Sequence, residues 1–136
     1  MGEKIGIDSV VFIYLLEENK RYLMEARGLF KKVEKGELTA SFSSIGLIEI
    51  LTGPKKKGRF DLASQYKELI AHFPNLDIMG INERIVDLAS DLRAKYNITT
   101  PDAIHIATAI DSGALRFITN DRGLRKIKEI EIKILS

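Results

Sequence analysis

The chain contains no cysteine, which excludes disulfides, zinc-thiolate centres and thiol nucleophiles. Its two histidines, His72 and His105, do not stand at metal-ligand spacing. No stretch approaches the roughly 18 apolar residues that a membrane-spanning helix needs. The opening MGEKIGIDSV has no long apolar run before its first aspartate, so no secretory signal is expected. The expectation is a soluble, cytoplasmic protein without membrane contact, and the absence of cysteine suits a reducing compartment. Net charge is only +2, too small to argue for or against a nucleic-acid partner. There is no internal repeat and no low-complexity tract. Neither common nucleotide-binding loop is present, because no glycine-rich run precedes a Lys-Ser/Thr pair or opens a helix after a strand.

What remains is ordinary globular material. The 136 residues, 45% of them apolar, are expected to form a single domain over 1–136 with a core that needs no staples. Strand and helix patterns alternate along the chain. A short apolar strand over 4–7 leads directly into a helix over 10–16. A second helix spans 21–35, with Leu23, Ala26, Leu29, Phe30 and Val33 at helical spacing and Gly36 as its stop. A strand over 38–41 precedes a helix capped by Ser43 or Ser44. Gly53, Pro54 and Gly58 bracket three lysines and predict a flexible loop over 53–58. Next come a helix over 60–72, a strand over 76–79 and a helix from an Asn82 cap to Tyr96. That helix carries Ile85, Val86, Leu88, Ala89 and Leu92 inward. Thr100 as cap, Pro101 in first position and Asp102 in the first turn start a further helix, which ends near Ser112 before Gly113. Strands over 116–119 and 130–135, separated by a helical turn over 123–127, complete the pattern. The alternation predicts an α/β fold, a three-layer α/β/α sandwich around a mainly parallel sheet of about five strands.

In such sheets ligands bind beyond the carboxyl ends of the strands. Asp8 follows the first strand, Asp121 follows the fourth, Asp102 opens a helix, and Glu49 lies in the otherwise apolar segment 45–51. A carboxylate on an apolar element costs free energy unless it is paired or bound to a metal. The basic runs lie elsewhere in the chain. Several carboxylates together raise one another's pKa, and a divalent cation removes that repulsion. An oxygen-only donor set favours Mg²⁺ or Mn²⁺. Taken singly, Asp8 and Asp102 also read as helix caps, and Glu49 as a solvated residue or the partner of a lysine.

Four segments carry a resemblance. Ile7-Asp8-Ser9-Val10-Val11-Phe12-Ile13-Tyr14-Leu15-Leu16 resembles the first motif of the PIN domain, and Ser43-Ser44-Ile45-Gly46-Leu47-Ile48-Glu49-Ile50 its second. Asp102-Ala103-Ile104-His105-Ile106-Ala107-Thr108-Ala109 resembles the third and Thr119-Asn120-Asp121 the fourth. Order and spacing also match, over nearly the whole chain, and the likeness is strongest to short VapC-type toxins and their stand-alone relatives. The resemblance implies an endoribonuclease dependent on Mg²⁺ or Mn²⁺, hydrolysing RNA to 5′-phosphate and 3′-hydroxyl ends. It implies that Asp8, Asp102 and Asp121 hold metal directly or through water, that Glu49 completes the acidic cup, and that the Ser9 and Thr119 hydroxyls orient the carboxylates. It further implies a homodimer and, for a toxin, a protein antitoxin over the acidic groove. Val10 departs from the polar residue many relatives carry there, and Leu124 from a common aromatic.

Lys55, Lys56, Lys57 and Arg59 could meet RNA phosphates, or form a solvated face. Arg122, Arg125, Lys126 and Lys128 form a second basic run. His105, three residues after Asp102, reads as a buried, satisfied histidine or as a residue lining the site. Asp111 reads as solvent-facing, Asn120 as a turn residue, and Phe12, Ile13 and Tyr14 as core or dimer surface. A haloacid-dehalogenase-type phosphatase would need a second aspartate where Val10 stands, and a receiver domain would need paired acids before its phosphoacceptor. Two alternatives stay open: a stand-alone RNA-processing nuclease, and a non-catalytic PIN-fold binding module.

Overall fold

The computed structural model describes residues 2–135. Among them, strands β1 (Glu3–Ile7), β2 (Leu38–Ser43), β3 (Leu76–Met79), β4 (Arg116–Thr119) and β5 (Glu131–Ile134) form one sheet. Its order is β3-β2-β1-β4-β5, with every neighbouring pair parallel. The helices are α1 (Ser9–Leu16), α2 (Leu23–Glu34), α3 (Ile45–Lys56), α4 (Phe60–Ala71), α5 (Glu83–Lys95) and α6 (Thr100–Asp111), with a 3₁₀ turn over Arg122–Lys126. Parallel strands require crossovers, and crossover helices cover both faces of the sheet. The three-layer α/β/α expectation holds.

Strand alternation divides the core. Ile5 and Ile7 of β1, Ala40 and Phe42 of β2 and Ile118 of β4 pack with Val11, Phe12, Ala26, Phe30 and Val33. On the opposite face Phe117 packs with Ile85, Leu92, Ile106 and Ala109 from α5 and α6. Here α6 lies almost on β1: a Cβ added at Gly6 would stand 2.4 Å from the Ala109 Cβ. From β1 the chain steps outward to β2 and β3, then returns to place β4 and β5 on the other side of β1. The order therefore reverses between β1 and β4. The Asp8 amide donates to the Ile118 carbonyl across that point, at 2.9 Å.

Several local expectations change. The loop expected over 53–58 is helical to Lys56, with Pro54 inside α3 and buried. Only two helical residues follow Pro54, so its missing N–H removes one bond near the end. Its carbonyl then accepts from the Lys57 and Arg59 amides at 3.1 and 2.8 Å, and the Gly58 amide donates to Lys55. Gly58 supplies the left-handed turn, at φ +73°. Val86 faces out, 55% exposed, because Ile85, Ala89 and Leu92 form the inward stripe of α5. Asp111 is held by Arg84 at 3.0 Å rather than facing solvent, its side chain only 13% exposed. Phe12 is core, against Phe30 and Phe42 at 4.5 and 4.7 Å between ring centroids.

The cap of α6 is Thr99, not Thr100. Thr99 is extended and its hydroxyl accepts from the Asp102 amide at 3.3 Å. Starting one residue earlier puts Pro101 second, where its absent N–H is still one the helix leaves unbonded. Thr99→Ala is therefore expected to lower the unfolding free energy by about 1 kcal/mol in urea titrations. Thr100→Ala should cost much less.

Candidate active site

The acids gather where β1 and β4 end. Asp8 occupies the cap position of α1 but makes no capping bond. Its side chain turns instead to β4, where Thr119 Oγ1 donates to Asp8 Oδ2 at 2.7 Å. Thr119 Oγ1 also accepts from the Asp121 amide at 3.1 Å, so one hydroxyl links the acids that follow the two strands. Asp8 is buried, with 8% exposure. Asp121 is exposed, and its Oδ1 accepts from the Gly123 amide at 2.9 Å, capping the 3₁₀ turn.

Glu49 enters from α3. Ser9 Oγ donates to Glu49 Oε1 at 2.8 Å, and stands 3.4 Å from Asp8 Oδ1. The second distance is long for a hydroxyl donor, so the Ser9 proton belongs mainly to Glu49. His105 Nε2 lies 2.7 Å from the same Oε1. That hydrogen bond holds the Glu49 carboxyl below its usual range against the opposing effect of burial, with the Ser9 bond assisting. The Glu49 side chain is 36% exposed, and Ile48 beside it is also exposed, so α3 is less enclosed than its apolar sequence suggests.

Asp102 stands in the first turn of α6, partly buried. Burial pushes its carboxyl above the usual range, opposed by the Thr99 side chain, and the charges of Asp8 and Asp121 push it further up. Three aspartates from β1, α6 and β4 thus share one electrostatic neighbourhood. Among the described residues no Lys or Arg forms an ion pair with any of them.

The basic candidates lie at the C-terminal end of α3 and just after it. Lys55 and Lys56 sit exposed in the last turn of α3, with Lys57 just beyond it. Arg59 is tied to Asp61 at 3.1 and 3.3 Å. Asn120, read as a turn residue, donates to the Tyr14 hydroxyl at 2.9 Å. His105, read as a buried histidine or as a residue lining the site, is buried and bonds Glu49, an acid that its spacing of three from Asp102 did not single out.

The donor chemistry fits a hard divalent cation: oxygen ligands only, around an Asp102 carboxyl raised by burial and then by the charges of Asp8 and Asp121. Among the described residues no group of three His, Asp or Glu side chains is close enough to hold an ion as it stands. Mg²⁺ does not require such a cage, because it keeps several waters and binds proteins through one or two carboxylates. The fit is one of charge and donor type.

Comparison with known proteins agrees with the fold. The DNA-bound VapBC2 structure from Rickettsia felis matches with a TM-score of 0.79 at 17% identity, covering 98% of this chain and 99% of that one. DNA-bound VapBC from Salmonella typhimurium gives 0.77 at 20% identity over all of both chains. Mycobacterium tuberculosis VapC20, described as a sarcin-ricin-loop-cleaving toxin, gives 0.70 at 13% identity over 93% and 98%. A sequence comparison with curated proteins finds no match. The PIN domain model matches residues 5–130, which spans every motif and all but the ends of the chain: the protein belongs to the PIN domain family.

Proposed function

We propose that this chain is an endoribonuclease dependent on Mg²⁺ or Mn²⁺, acting as one PIN-like domain over 1–136. The observation that carries the reading is Asp102. A carboxyl raised by burial and then by the charges of Asp8 and Asp121, with no Lys or Arg paired to it among the described residues, is the kind of group a divalent cation would stabilise. Asp8, Asp102, Asp121 and Glu49 would hold the ion, directly or through water. When bound, such an ion offsets charge on a phosphodiester and makes water a better nucleophile. The chain's own contribution is orientation. The Thr119 hydroxyl holds Asp8, the Ser9 hydroxyl holds Glu49, and the Gly123 amide holds Asp121. The deciding experiment incubates transfer RNA, ribosomal RNA and unstructured oligomers with Mn²⁺, Mg²⁺ or EDTA. Cutting that needs the metal supports the reading; cutting unchanged in EDTA defeats it.

The VapBC complexes that share this fold motivate a toxin role, with a protein antitoxin that inserts an arginine among the carboxylates. The product of the adjacent reading frame should then suppress cleavage on co-expression. Absence of suppression favours a stand-alone RNA-processing nuclease.

Substrate binding by the α3 end makes a separate prediction. Replacing Lys55, Lys56 and Lys57 with Ala should weaken RNA binding and reduce its salt slope by about one for each phosphate no longer neutralised. Filter binding across a salt series measures this, and an unchanged slope would make these lysines a solvated helix end.

A further inference from the structure

Building on that reading of the carboxylates, we propose that His105 is a positioning residue for Glu49. Its ring and the Ser9 hydroxyl both bond Oε1, leaving Oε2 as the oxygen offered to the site.

The argument starts from the cost of the ring. The His105 side chain is 1% exposed, with Phe42 and Phe117 rings 5.9 and 6.5 Å away between centroids. Its buried Nδ1 has no hydrogen-bond partner. A buried polar atom without a partner destabilises the fold. Packing alone would be better served by leucine or phenylalanine. What the imidazole has that they lack is the bond from Nε2 to Glu49. A carboxylate only accepts, so Nε2 carries the hydrogen.

The surrounding sequence makes room for this contact. A Cβ on Gly46 would lie 3.0 Å from His105 Cε1 and 2.1 Å from the Phe42 ring. Gly46 and Glu49 are three apart on α3, as Asp102 and His105 are on α6. One face of α3 therefore offers a gap and then a carboxylate, while one face of α6 offers a carboxylate and then the group that holds it. Helix α6 supplies one acid of the cluster and fixes the orientation of another.

The test compares His105→Leu, which keeps the packing and removes the donor, with His105→Gln, which retains an N–H at similar reach. Should the leucine variant fail to fold, His105→Phe replaces it. Mn²⁺ binding is measured by calorimetry and RNA cleavage by steady-state kinetics, with thermal melts alongside. The leucine variant is expected to melt no lower than wild type, yet to bind Mn²⁺ about 10- to 100-fold more weakly. Its kcat should fall in parallel while KM changes little, and glutamine should recover most of both losses. Leucine binding and cutting like wild type would overturn the proposal, as would equal losses in both variants or no Mn²⁺ binding by wild type. Wild type that binds Mn²⁺ but cuts no RNA would defeat the nuclease reading alone, and the Mn²⁺ isotherms would still decide the role of His105.

Discussion

Asp102→Asn is expected to abolish metal-dependent RNA cleavage, by more than about 100-fold, while the protein melts at the same temperature or higher. The two halves have one cause. Burial and the charges of Asp8 and Asp121 hold the Asp102 carboxyl above its usual range. The folded chain therefore binds this proton more tightly than the unfolded chain does. Stability from this group is fully present below the unfolded pKa and is lost as pH rises through the folded one. At neutral pH the ionised group opposes folding, and asparagine removes that opposition with little change of shape. In metal-free buffer the variant should match or exceed wild type near neutrality, and the gap should close in acid. Mn²⁺ should raise the melting temperature of wild type, since a ligand at 100 times its Kd adds about 2.7 kcal/mol, and should leave the variant unmoved. Thermal melts with and without Mn²⁺ read both effects. A sharp loss of stability on substitution would instead make Asp102 a structural element of the α6 start.

The largest expected effect on the fold is at Gly6. A Cβ there would meet the Ala109 Cβ at 2.4 Å and the Phe117 ring at 3.2 Å. The first neighbour belongs to α6 and cannot rotate away, so Gly6→Val must push the helix off β1. Overpacking of this kind costs on the order of 1–3 kcal/mol or more, and two added methyl groups place the change at the upper end. Because α6 carries Asp102 and His105, any protein that still folds should also lose activity. Denaturant unfolding measures the loss, and Ala109→Gly in the same chain should return part of it, as touching residues do not add. Gly53→Ala is the control, with nothing within 4 Å of its Cβ. Equal losses at both positions would refute the steric account.

Much of the fold could be read directly. Strands β3 and β4 and the Asn82 cap fall where apolar runs, Gly and Asn predicted them. These signals are local: a few residues set periodicity, and capping chemistry sits within one turn. The same locality let Asp8 and Asp121 be recognised as acids at strand ends. It also explains the errors over 53–58 and at Thr100, where Pro and Gly mark an end without stating whether the helix stops before or after them. The pairings that build the site have no local signature. Ser9 reaches Glu49 across 40 positions, His105 reaches it across 56, and Thr119 reaches Asp8 across 111. By itself the sequence determined which elements form and which acids end them, because backbone sterics and side-chain period act over a few residues. Only the tertiary structure decided that the sheet reverses between β1 and β4 and that α6 rests directly on Gly6. It likewise brought α3 close enough at Gly46 for a histidine in the core to hold Glu49, because those distances depend on how whole elements pack.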